Sequence, residues 1–196
     1  MPRLEPMTLM WIQVATGFMG ACTLLFLLRL LARKLGLVLD LKAHFSPNGG
    51  GRDAVLHALN KARREVLVHT YAFADQPLLA ALVEAKKRGV TVEVVLDGHH
   101  DKVKTEDYAF LVEQGIDPLL DTEARVSPQA IVIDRKVIVL GSYDFSAQAE
   151  TEHVQTLLIV RSHPDLARQF RDQFFKHKSH SKAAQKKEED KLRLAS

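Results

Sequence analysis

Cysteine is all but missing from the chain: Cys22 is the only one, so neither a disulfide framework nor a cysteine-rich metal site can form within one molecule. A basic body is missing too. The formal net charge is +3, but from Lys176 onward there are seven basic and three acidic residues, a surplus of four, which leaves everything before it near −1. Nucleic-acid binding, which draws on a basic face, is therefore disfavoured. No internal repeat is visible. Gly49-Gly50-Gly51 is not followed by the Lys-Ser/Thr pair of a Walker loop, so the run reads as a plain loop ahead of a helix.

Charge is also absent from Met7 to Leu28, 22 residues interrupted only by Thr8, Gln13, Thr16 and Thr23. As a helix this stretch reaches about 33 Å, enough to cross a hydrocarbon core. It is too long for the apolar core of a cleaved signal peptide and too uniformly apolar for a core helix. Met19-Gly20-Ala21-Cys22 has the outline of a lipoprotein cleavage box, but the apolar run continues past it to Leu28, which argues against lipidation. Arg29, Arg33, Lys34 and Lys42 follow the span, whereas Arg3 before it is offset by Glu5, so the expected topology is single-pass with the following domain in the cytoplasm.

The expected division is an anchor over 1–34, a linker over 35–45, a domain over 46–177 and a basic tail over 178–196, disordered or a frayed helix. Within the domain, Asp53–Arg64 carries a helical pattern, Glu65–Tyr71 a strand, Pro77–Arg88 an amphipathic helix closed by Gly89, and Val90–Leu96 a second strand, a β-α-β unit. A helix over about Lys104–Gln114 leads to the apolar stretch Ile116–Leu120. Ala130–Ile133 and Val137–Leu140 flank Asp134-Arg135-Lys136 as a hairpin; Val154–Val160 adds a strand and Asp165–Phe175 a closing helix. The alternation implies an α/β fold with a mixed sheet covered on both faces.

Tyr71-Ala72-Phe73, the segment Ala85-Lys86-Lys87-Arg88-Gly89-Val90, and Ile131-Val132-Ile133-Asp134 followed after six intervening residues by Gly141-Ser142-Tyr143-Asp144-Phe145-Ser146 carry a resemblance. Over about Phe45–Lys176 the chain resembles the phospholipase D superfamily, in particular its short single-motif members, the Nuc-type endonucleases and mitochondrial cardiolipin hydrolase. That resemblance implies a phospholipase D-like mixed sheet flanked by helices, and a motif of histidine, one residue, lysine, four residues, aspartate, six residues, Gly-Ser and then asparagine. Asp134, Gly141 and Ser142 match it. The histidine position holds Ser127, the lysine position Gln129 and the asparagine position Asp144; a glutamate usual before the next strand is read as Glu152.

The resemblance further implies a dimer in which two motifs face one another, one histidine attacking phosphorus while the other protonates the leaving alcohol. A serine hydroxyl with no adjacent base in sequence lacks the activation a nucleophile needs. A neutral amide brings no cation to the phosphoryl oxygens, and losing one preorganised donor commonly costs about 3 kcal/mol. Asp144 adds negative charge where an anionic substrate would approach. The expected function is thus a catalytically degenerate, membrane-anchored scaffold or binding module, paired with itself or another membrane protein and in possible contact with anionic lipid through its basic tail. The competing expectation is an active phosphodiesterase on lipid or nucleic acid using rearranged residues. Asp134, Gly141 and Ser142 are also what a turn-rich β segment contains for structural reasons. His99-His100-Asp101 reads as a solvated loop, no cofactor or metal is expected, His69 reads as packed or surface, and His153 is a remote stand-in for the missing histidine.

Overall fold

The structure, a computed structural model, describes residues 6–34, 40–71, 73–97, 105–121, 123 and 129–183. Helix α1, Pro6–Lys34, stands apart with its apolar side chains exposed, Trp11, Phe18 and Phe26 among them. Its 23-residue stretch Met10–Ala32 has a mean hydropathy of 1.9, so one helix is long and apolar enough to cross a membrane. It runs four residues beyond the expected Leu28 and includes Arg29, because helix geometry continues through the arginine. Thr16 Oγ1 donates to the Ile12 carbonyl at 2.9 Å and Thr23 Oγ1 to the Met19 carbonyl at 3.0 Å, so both hydroxyls are satisfied within the helix.

The remaining elements build an eight-stranded mixed sheet in the order β1-β7-β6-β5-β2-β3-β4-β8. These strands are β1 Asp40–Phe45, β2 Glu65–Thr70, β3 Thr91–Asp97, β4 Leu119–Asp121, β5 Ala130–Ile133, β6 Val137–Gly141, β7 Thr156–Arg161 and β8 Lys182–Ala183. Strands β2, β3 and β4 are parallel neighbours; every other pairing is antiparallel. The central strand β2 is buried at all six positions because both its faces are covered. Val66 and Val68 face α2 (Gly51–Asn60) and α3 (Gln76–Lys87) through Val55, Leu59, Leu78 and Leu82, whereas Leu67 joins Val95 and Val132 under Phe174 of α6, Pro164–His180. Period-two alternation thus feeds two separate cores, one on each side of the sheet. Helix α4, Thr105–Glu113, packs beside α3, and the one-turn helix α5, Ala147–Thr151, follows the β6 end.

Two departures from the sequence reading have clear causes. Asp40–Phe45, expected as linker, is an edge strand on β7; Leu41 and Phe45 stay exposed, so no buried face marks it and only the ladder fixes it. The closing helix runs to His180 and is followed by β8 paired with β4, so 178–183 belongs to the fold. Its polar end is held by partners distant in sequence, Lys178 Nζ to Glu93 Oε2 at 2.5 Å and His177 Nδ1 to Asp121 Oδ2 at 2.8 Å. His99-His100-Asp101, Ser127 and residues 184–196 lie outside the described residues.

Candidate functional site

The β5–β6 hairpin separates the motif residues along the length of the sheet. At its turn, Asp134 and Arg135 adopt positive φ of 53° and 59°, a conformation aspartate tolerates better than most side chains. The Asp134 carboxylate there accepts backbone N–H bonds from Arg63, Arg64 and Glu65 at 2.7–3.2 Å, tying the hairpin to the entry of β2. Asp134 is a structural anchor at the end of the sheet opposite Gln129 and Ser142.

At the other end, Gly141 has φ 150°, and a Cβ there would lie 2.0 Å from the Thr156 carbonyl oxygen, so only glycine fits. Ser142 follows; its Oγ accepts the Thr156 N–H at 2.9 Å and its own N–H donates to the Thr156 carbonyl at 3.0 Å. Both residues hold β6 on β7. Gln129 immediately precedes β5 beside the end of β2, where its Oε1 accepts a hydrogen bond from the Thr70 hydroxyl and its Nε2 is buried without a partner among the described residues.

Asp144 is 5% exposed and turned inward. Its Oδ1 accepts the Ser146 hydroxyl at 2.6 Å and the Ser146 N–H at 3.2 Å, closing a turn, while the Asp144 N–H donates to Gln155 Oε1 at 3.1 Å. Burial pushes the Asp144 carboxyl up, but the hydrogen bonds from Ser146, Tyr71 and Gln155 together hold it below the ordinary carboxylate value. The same contact, added to burial, pushes the Tyr71 phenol up to about 12. His153 Nδ1 sits 3.5 Å from Asp144 Oδ2 on a half-exposed ring. Glu152 is exposed at the end of α5. The carboxylate that organises this region is Glu150: it accepts N–H bonds from Gly50 at 3.0 Å and Arg52 at 2.9 Å and the Tyr143 hydroxyl at 3.1 Å, which raises the Tyr143 phenol further above its burial-shifted value. The amides at the start of α2 are therefore occupied by a side chain of the same molecule, which accounts for the glycine run without any phosphate.

Of the residues read from sequence, the structure gathers Gln129, Gly141, Ser142 and Asp144 at one end of the sheet, sends Asp134 to the other and leaves Glu152 at the surface. Sequence reasoning missed Thr70, Tyr71, Ser146 and Gln155. Tyr71 and Ser146 lie inside the quoted segments and were taken there only as pattern; Thr70 and Gln155 carry no local signal, since their partners are 59 and 11 residues away.

Residues 55–178 match the family model described as "Cardiolipin synthase, PLD-like domain". The chain belongs to this phospholipase D-like family. Its relatives include a protein named phospholipase D from Rickettsia prowazekii, 26% identical over 140 residues that cover 71% of this chain and 68% of that protein. A second, from Rickettsia bellii, is 27% identical over 59% of this chain and 58% of its own length. Among solved structures, the phospholipase D family member Nuc from Salmonella typhimurium matches with a TM-score of 0.69 at 24% identity, covering 74% of this chain and 98% of Nuc. NucT from Helicobacter pylori gives 0.64 at 18% identity, covering 74% and 99%. The phospholipase D-like fold and the single-motif architecture follow from these likenesses.

Proposed function

We propose that this chain is a membrane-anchored phospholipase D-like domain that has lost the family's hydrolytic chemistry and works as a binding or scaffolding module, paired with a second copy or another membrane protein. The observation that carries the reading is Gln129. Standing where the motif's lysine belongs, it forms a neutral hydrogen bond with Thr70, and among the described residues no lysine or arginine hydrogen-bonds Gln129 or Asp144. A phosphoryl group would meet an amide and a carboxylate there, the reverse of the charge it needs. Helix α1 supplies the anchor, and Arg29, Arg33 and Lys34 at its C-terminal end, with Lys42 beyond, favour a cytoplasmic domain. Self-association is supported by Phe45 and Val154, 64% and 90% exposed, which add apolar surface at the Ser142 end of the sheet. The basic tail adds affinity for anionic lipid.

The test uses the full chain reconstituted in vesicles of phosphatidylcholine and cardiolipin, with single-stranded DNA as a third substrate. The expected result is no turnover of any of them, with dimers in detergent that dissociate on Val154→Asp. Hydrolysis lost on Ser127→Ala would overturn the reading. His153 favours a second reading, in which the domain is an active phosphodiesterase: Asp144 holds the Nδ1 side of an accessible imidazole, an arrangement that suits a base or nucleophile. Turnover abolished by His153→Ala and retained in Ser127→Ala would establish it.

A further inference from the structure

On the α6 face of the sheet three side chains from distant parts of the chain converge: His69 near the end of β2, Asp121 at the end of β4 and His177 on α6. Each offers one ligand atom, and these atoms all lie within 4.8 Å of one another. We infer that this cluster is a binding site for a divalent transition metal ion of the zinc type, tying α6 to the sheet. His180, about one turn beyond His177, stands beside the cluster as the candidate fourth ligand: its Nδ1 lies 3.3 Å from Asp121 Oδ1 and makes no hydrogen bond among the described residues.

The independent observation is His69. It is 3% exposed, and its Nε2 is buried with no hydrogen-bond partner among the described residues. An idle ring nitrogen at such depth carries a desolvation cost that a coordinated cation removes. Burial, with His177 adding to it, lowers the His69 pKa to about 4, so the ring is neutral near pH 7 and offers a lone pair. The donor set of imidazoles and one carboxylate suits zinc, cobalt or nickel better than calcium or magnesium. Asp121 belongs to the cluster, and Asp97, also buried, acts electrostatically on His69, so carboxylates lie near the site that would favour a dication. In a tetrahedral zinc site ligands stand about 3.3 Å apart, so the longest separation among His69, Asp121 and His177 must close by about 1.5 Å. Rotation of His177 and His180 on the rim supplies that movement. A cavity of about 440 Å³ lined by His69, His177 and Phe174 opens beside the cluster and gives an ion a way in.

The test takes the full chain in detergent, purified without a polyhistidine tag, stripped with chelator and titrated with Zn²⁺ or Co²⁺. One equivalent per chain should survive desalting, cobalt should show the intense visible absorption of four-coordination, and the melting temperature should rise by about 5 °C or more. His69→Leu and His177→Ala should each abolish the retained equivalent, whereas the loop variant His99→Ala/His100→Ala should keep it. Should His69→Leu fail to fold, His177→Ala and His180→Ala on the helix rim give the same reading. Absence of a retained equivalent, weak six-coordinate cobalt absorption, survival of binding in both His177→Ala and His180→Ala, or its loss in the loop variant would show an ion-paired cluster only and overturn the inference.

Discussion

Two sets of residues on the β5–β6 hairpin make an instructive contrast. At the turn and along the return strand stand Asp134, Gly141 and Ser142, the positions that keep the family motif, and each is committed to backbone: three N–H groups on Asp134, a close approach to Thr156 at Gly141, a strand-ending N–H on Ser142. Gln129 and Asp144, which on the proposed reading depart from the motif, stand with Gly141 and Ser142 at the open end, but their side chains answer mainly to other side chains. On that proposed reading, what survives is what holds the sheet together, and what has changed is what a phosphoryl group would touch. A motif read as one string is thus two physical objects.

The sharpest way to break this contrast is in the backbone-committed set. Gly141→Ala or Asp134→Ala should each destabilise by about 2–4 kcal/mol, the first by a clash with Thr156, the second by stranding backbone donors, both seen as lower midpoints in urea unfolding. The triple change Ser127→His/Gln129→Lys/Asp144→Asn should shift stability by less than about 1.5 kcal/mol and create phosphodiesterase turnover from none; a folded triple variant without turnover would mean the open end has lost more than its side chains. A smaller, pH-dependent difference belongs to Asp144. Its native pKa lies below the unfolded value, so its stabilisation is complete above about pH 4 and is lost as pH falls through the lowered value. Asp144→Asn should flatten that acid limb in melts taken from pH 6 to 3. The smallest effect, under about 0.5 kcal/mol, is expected for Arg168→Ala, whose partner Asp165 is as exposed as itself.

Sequence made the alternation of strands and helices readable because each element carries its own period: Val66 and Val68 against Leu67 already announce a strand covered on both sides. Strand β1 was not readable, since Leu41 and Phe45 remain in solvent and its pairing with β7 bridges more than 110 residues. Likewise His69 looks like any strand histidine until α6 brings His177 within 4.8 Å ring to ring, and Gln155 looks like a linker residue until its amide meets Asp144. Local pattern reports burial; it carries nothing about partners that meet only after the chain has closed.

Five residues separate Lys34 at the end of α1 from Asp40 at the start of β1, a reach of about 20 Å at full extension. With α1 in a bilayer as proposed, the Asp40 edge lies within about that reach of the headgroups, and β1 spans six residues, about 20 Å, between that edge and Phe45 at the Ser142 end. The proposed site can thus stand at most about 40 Å from its own membrane, so whatever it grips must come to that layer.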